Sequence, residues 1–365
     1  MDMQQAIHRA LSLNEARPTR LGHWHYLRFA DGCHPITRGT AVFQEEVIWG
    51  YPEIGRILRL ASGLRVSFQA PFWVEEKVDG YNVRIFKHGE AVLALTRRGY
   101  ICPFTTDRLP DLLDTRIFAE QPDIVLCAEV AGPENPYNEG YPPYVTEDVR
   151  LFVFDVLRKN TSRFLPHAER MQLLQAYGLP SVTQYGKYQA SDLEMLKTLL
   201  LSLDAEGKEG VVFKEDSGRD RRAKYVTGHT NLRDLRVTAM NFLQLPPEYY
   251  TQRVMRLVLF LEEAGLTGSP ALYADLGEAL IEGVFQAIRQ YQQHQTVFHA
   301  FRCRFRRQAN ALLFMQSQRR LLGAAHVRQR RLHKVGDFYH LEFDKIMPRE
   351  TSLLRHLLQG GLAFD

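Results

Sequence analysis

Lys77 is the residue whose setting most suggests chemistry. It ends a run of β-formers, Trp73-Val-Glu-Glu-Lys77, and is followed by Val78-Asp79-Gly80, a turn signal suited to glycine. Asn82-Val-Arg-Ile-Phe86 then reads as a returning strand, so this segment alone also fits a surface hairpin with an ordinary lysine. Later segments supply possible partners. Ile124-Val-Leu-Cys-Ala-Glu129 is an apolar strand that ends on a carboxylate, and Val149–Val156 is another, carrying Phe152, Phe154 and Asp155. Glu209-Gly-Val-Val-Phe-Lys214 opens with a carboxylate and closes with an amine, and Arg221-Arg222-Ala-Lys224 is basic. A nucleophile, cations, carboxylates and an aromatic ring are the groups a phosphate-bearing nucleotide needs. Each also has a plainer reading. Glu129 and Asp155 can be satisfied by backbone amides, and Phe152 and Phe154 share a strand face and suit a core.

Taken in this order, the set resembles the covalent nucleotidyltransferase superfamily of ATP-dependent ligases and capping enzymes. Within it, Lys77-Val-Asp-Gly-Tyr-Asn-Val-Arg84 followed by Thr96-Arg-Arg-Gly99 resembles the archaeal-type ATP-dependent RNA ligases. Gly50-Tyr-Pro-Glu-Ile-Gly-Arg56 and Phe343-Asp-Lys-Ile-Met-Pro-Arg-Glu-Thr351 fit the same family. The resemblance implies an α+β fold: an ATP-grasp-like nucleotidyltransferase core of antiparallel sheets with helices, an N-terminal module and a helical C-terminal region. It implies Lys77 as the nucleophile that takes AMP from ATP, with Glu76, Asp79, Gly80, Asn82, Arg84 and Arg97 around the nucleotide. Glu129 would accept from the ribose, Phe154 stack on adenine, and Lys214, Arg222 and Lys224 hold phosphate. Glu209 would position Mg2+ or Mn2+. RNA with 5′-phosphate and 3′-hydroxyl ends, its circularisation and a homodimer follow from the same resemblance.

A free lysine, with a pKa of about 10.4, is protonated at neutral pH, and burial with the charges of Arg222, Lys214 and Lys224 is expected to lower it. DNA ligases carry arginine two residues after the glycine, where this chain has Asn82, which lowers the DNA ligase reading. A GTP-dependent capping enzyme and a catalytically inactive RNA-binding protein are two further readings. The complete set of Lys77, Glu129, Glu209 and Lys224 argues against the last.

Composition sets the frame. The 365 residues exceed one ordinary domain, and 24% charged residues suit a globular chain. No long apolar run and no signal pattern occur, so a cytoplasmic protein with no membrane segment is expected. Scattered cysteines and the group His23, His25, Cys33 and His34 match no zinc pattern. The expected units are a module at 1–68, the adenylyltransferase domain at 69–238, a helical and dimer-forming region at 239–295 and a basic domain at 296–365. Residues 296–365 hold thirteen Lys and Arg against five Asp and Glu, so the net charge of +4 conceals a basic end suited to a polyanion. A helix pair with solvated arginine faces is the plainer account. The helical pattern begins at Pro247 and extends to about Gln318, and two strands surround Gly336-Asp337.

Overall fold

The computed structural model describes residues 3–32, 36–218, 220–241 and 245–362, so Cys33 and His34 lie outside the described residues. Two sheets meet around Lys77. One runs antiparallel in the order Arg150–Arg158, Ile124–Ala131, Tyr81–His88, Ala91–Thr96. The other takes the order Gln184–Tyr188, Phe72–Glu76, Gly210–Glu215, Arg222–Val226, Gly55–Arg56, antiparallel except for its last pair. The chain is thus the expected α+β assembly of antiparallel sheets and helices.

Phe72–Glu76 and Tyr81–His88 belong to different sheets, so the hairpin suggested by the sequence does not form. Turn residues between two strands show that the strands are connected, not that they pair. Lys77–Gly80 is instead a crossover between sheets. Gly80 is not left-handed; a Cβ there would stand 2.4 Å from Val130 O, so the close approach to strand Ile124–Ala131 demands glycine.

Both faces of the first sheet are covered, which explains the unbroken apolar run of Ile124–Ala131. Val83, Ile85, Leu126 and Ala128 share a core with Phe104, Phe305, Phe314 and Phe343. Phe86, Leu93, Val125 and Cys127 pack against Tyr26, Phe43 and Ile48. Those last residues come from a four-stranded N-terminal sheet, Ala16–Leu21, Trp24–Phe29, Ala41–Phe43 and Glu46–Ile48. Gly55–Arg56 and helix Leu60–Ser67 pack with the second sheet.

Helices Glu248–Glu263 and Pro270–His294 lie where the periodicity places them; Ser269 Oγ caps the second, accepting from Leu272 N at 3.2 Å. The expected helical stretch is interrupted by one strand, however, and resumes as helix Gln308–Leu322. Phe298–Phe305 is a strand, paired with Phe338–Ile346, which also pairs with Val327–Val335. Its alternation of Phe301, Cys303 and Phe305 with arginines carries the period-two signal that the flanking helical pattern obscured. Part of the basic surplus is neutralised within the fold: Arg304 pairs with Glu134 at 2.6 Å, and Arg328 and Arg330 pair with Asp344 at 2.9 and 3.1 Å. Among the described residues no helix is long and apolar enough to cross a membrane.

Candidate active site

A cavity of about 790 Å³ lies between the two sheets, with the C-terminal region forming part of its wall. Lys77 reaches it just beyond strand Phe72–Glu76, held by its own N–H, which donates to Gly210 O at 2.9 Å. Val211 pairs with Glu76, so the register makes Glu209 a neighbour of Lys77. The Lys77 ammonium stands 2.5 Å from Glu209 Oε1. Glu129 arrives from the other sheet, opposite Asn82, and both line the cavity. Asp79 does not line it; its carboxylate is held by Arg233 at 2.6 Å.

One ammonium therefore sits among three carboxyl groups. Burial, aided by Glu209 and Asp79 and opposed by Lys77, pushes Glu129 up to about 8. Burial and Glu209 likewise raise Asp79 to about 6, against Arg233 and Lys77. For Lys77, burial favours the neutral amine, but Glu209, Glu129 and Asp79 outweigh it and the net shift is upward. The lowering expected from nearby cations is not what the free protein shows. Lys214 and Arg222 are taken up elsewhere, and of these three cations Lys224 alone faces this end of the cavity. Burial, with Arg56, Lys77 and Arg97, lowers Lys224 to about 8.

Phe154 lines the other end. The register slips between Val153 and Asp155, and this bulge aims Phe154 at the cavity, whereas Phe152 packs edge-on to Tyr144 with centroids 6.2 Å apart. Beneath Phe154 lies a buried ionic network. Asp155 receives Arg170 at 3.0 Å, Lys214 at 3.1 Å, Arg222 at 3.0 Å and the Tyr51 hydroxyl at 2.7 Å. Glu75 pairs with Arg170 and, at 2.7 Å, with Lys214. Burial opposes ionisation of Asp155, yet Arg222, Lys214 and Arg170 hold it well below the usual carboxylate range. Lys214 Nζ also donates to Phe154 O at 2.6 Å, and Arg170 donates to the same carbonyl, fixing the aromatic platform.

Lys214 thus lines the cavity at its Phe154 end. It pairs with Trp73, four residues from Lys77 along the strand, or about 13 Å at the usual rise. Arg222 does not line the cavity at all. Nor does Arg84, which is fully buried and donates to Trp49 O at 2.6 Å and to Gly39 O and Thr96 O at 2.9 Å. It clips the N-terminal module to the Arg97 loop, where a Cβ on Gly39 (φ +83°) would meet Arg97 O at 2.1 Å. Arg97 itself lines the cavity, as does Glu76, whose carboxylate accepts from Tyr144 and Thr183 at 2.5 Å. Glu75, Tyr51, Arg170 and Arg233 join the site without having been singled out in the sequence. Only Glu75 carries a signal there, since strand alternation puts it on the face of Lys77.

Glu209 Oε2 and Asn82 Oδ1 are buried without a hydrogen-bond partner among the described residues. An orphaned carboxylate oxygen fits a hard divalent cation. Among the described residues no group of three or more His, Cys, Asp or Glu could hold a metal, so such an ion would rest on few protein oxygens and on substrate phosphate.

Residues 70–226 match the RNA ligase family model, and residues 237–361 match the C-terminal region of ligase Pab1020. Forms 1 and 2 of an archaeal ATP-dependent RNA ligase superpose with TM-scores of 0.87 and 0.88 at 29% and 28% identity, over 98% of this chain and 96% of theirs. The chain belongs to the archaeal-type ATP-dependent RNA ligase family. An uncharacterised protein of Methanocaldococcus jannaschii is 31% identical over 275 residues, 73% of this ligase and 70% of the relative. A protein provisionally described as an ATP-dependent DNA ligase from Aquifex aeolicus is 52% identical, with a TM-score of 0.94 over 99% of this chain and 100% of its own.

Proposed function

We propose that this ligase joins 5′-phosphate and 3′-hydroxyl RNA ends through lysyl-AMP and RNA-adenylate, and closes single strands into circles. The observation that carries the reading is Lys77 Nζ beside Glu209, in a cavity that ends on the bulged Phe154. Lys77 loses its proton and attacks the α-phosphorus of ATP; an N–P bond forms, the α–β anhydride breaks and pyrophosphate leaves. An oxygen of the RNA 5′-phosphate then attacks the same phosphorus and the N–P bond breaks. Finally the 3′-hydroxyl attacks the activated 5′-phosphate, and AMP departs. Phe154 stacks on adenine, Glu129 bonds the ribose, Lys224 and Arg97 face phosphate oxygens, and Lys214 and Arg222 act through the platform beneath Phe154. Mg2+ or Mn2+ at Glu209 would supply positive charge beside the reacting phosphate. Loss of one stacking face costs about 1.5 kcal/mol, so Phe154→Ala is expected to raise KM for ATP about tenfold, read from initial rates of protein labelling.

The test offers equal 5′-phosphorylated RNA and DNA strands. RNA circles are expected; faster sealing of DNA would overturn the RNA assignment. DNA sealing is the second reading, favoured by the description of the Aquifex aeolicus relative and opposed by Asn82. We place the enzyme in the cytoplasm, with both substrates. We also infer a homodimer. Met255, Val258, Tyr273, Ile281 and Phe285, on the two long helices, are each exposed by half or more. Light scattering should give twice the 42.2 kDa chain mass, falling to one in Phe285→Glu.

A further inference from the structure

Lys345 is a cation of the cavity wall to which the roles above give no work. It lies on Phe338–Ile346, the central strand of the C-terminal sheet, where Leu341 and Phe343 are fully buried in the shared core. Alternation puts Lys345 on that inward face, so a lysine stands where the pattern calls for an apolar residue. Its Nζ donates to Tyr137 O at 2.9 Å and lies 4.0 Å from the centroid of Phe301. Among the described residues it forms no ion pair. Glu139, the carboxylate acting on it, is drawn 3.8 Å from His299, the cross-strand partner of Lys345. Asn138, next to Tyr137, donates to Gly80 O at 2.6 Å, which ties Lys345 by one strap to the crossover after Lys77.

A half-buried ammonium without a counter-ion is costly, and an apolar residue of the same size would be more stable there. A ligand that brings negative charge offsets the cost. The other cations of the cavity leave room for one more: Lys214 is paired with Glu75 and Asp155, and Arg98 and Arg320 are exposed where they line it, which leaves Lys224 and the exposed Arg97 nearest Lys77 to face several phosphates. Burial lowers Lys345 to about 8, against Glu139.

We propose that Lys345 is a phosphate-binding residue of the ligation cavity, delivered by the C-terminal sheet to the pyrophosphoryl end of ATP or to the 5′-phosphate of the nucleic acid. The proposal rests on the reading of Lys77 as the AMP carrier. Lys345→Met and Lys345→Arg in the full chain test it. In the methionine variant, one of two quantities should worsen about 10- to 100-fold, the size of a hydrogen bond to a charged group. KM for ATP, together with KM for pyrophosphate in the reverse reaction, identifies the first source; the rate of AMP transfer from preloaded enzyme to 5′-phosphorylated RNA identifies the second. Arginine should restore most of the loss, and the methionine variant should melt at a higher temperature than the wild type, which a structural lysine would not allow. A folded Lys345→Met within twofold of wild type in both quantities overturns the proposal while leaving Lys77 untouched. Wild-type protein that takes no label from ATP overturns both.

Discussion

Glu209→Gln is expected to slow adenylylation of Lys77 by about 10²–10³-fold, the size found when one preorganised polar group is removed from a reacting centre. Glutamine keeps the shape and the fold but removes the charge that faces Lys77 at 2.5 Å and the carboxylate oxygen left without a partner. The pH dependence separates these two losses. In the free wild-type protein the carboxylates hold Lys77 charged, so kcat/KM for ATP should rise with pH through the raised lysine titration. In the Glu209→Gln variant one of those carboxylates is gone, and the rising limb should move to lower pH. A limb that stays where it was would show that Glu209 does not govern the protonation of Lys77. Labelling rates from neutral to alkaline pH provide the measurement.

Arg170→Met should destabilise the protein by about 3–5 kcal/mol, because it leaves Glu75 and Asp155 short of a cation in a site where all three are buried. The pH dependence follows from Asp155. Its carboxyl is held low, so its ion pairs stabilise the fold above the unfolded value of about 3.9 and are lost only as pH falls through the depressed native value. Without Arg170 that value rises towards the ordinary one, and acid unfolding should begin at higher pH. Denaturant melts of both proteins at a series of pH values measure this. Because Arg170 also donates to Phe154 O, KM for ATP should rise as well. Unchanged stability would mean that Lys214 and Arg222 neutralise both carboxylates unaided.

Lys77, Glu129, Phe154, Glu209 and Lys224 are singled out in the sequence by their order within the family resemblance; the structure puts Lys77 and Glu209 just outside strand ends, Phe154 at a bulge, and Glu129 and Lys224 within strands. The two long helices were legible for a local reason: Gly265 ends one and Ser269 begins the next. Partnerships made across the fold were not legible. Arg170 meets Glu75 across 95 residues and Arg233 meets Asp79 across 154, and no local spacing records either pair. The same limit applies to Arg84 and Arg222, which do not line the cavity, and to Lys214, which lines it while paired with Glu75 and Asp155. Position within a motif suggested nucleotide contact for all three, but the carbonyls and carboxylates brought by distant segments decide where such cations point. Lys345 is the opposite case. Its strand was legible, but its place on the inward face gained meaning only when the C-terminal sheet proved to wall the cavity.

The most direct test of the lysyl-AMP mechanism is to incubate wild-type protein with α-labelled ATP and a divalent cation, digest it at alkaline pH and map the labelled peptide. One acid-labile AMP is expected on Lys77, as a P–N bond requires, and none in Lys77→Arg. No label on the wild type, or label that persists in Lys77→Arg, would contradict the mechanism.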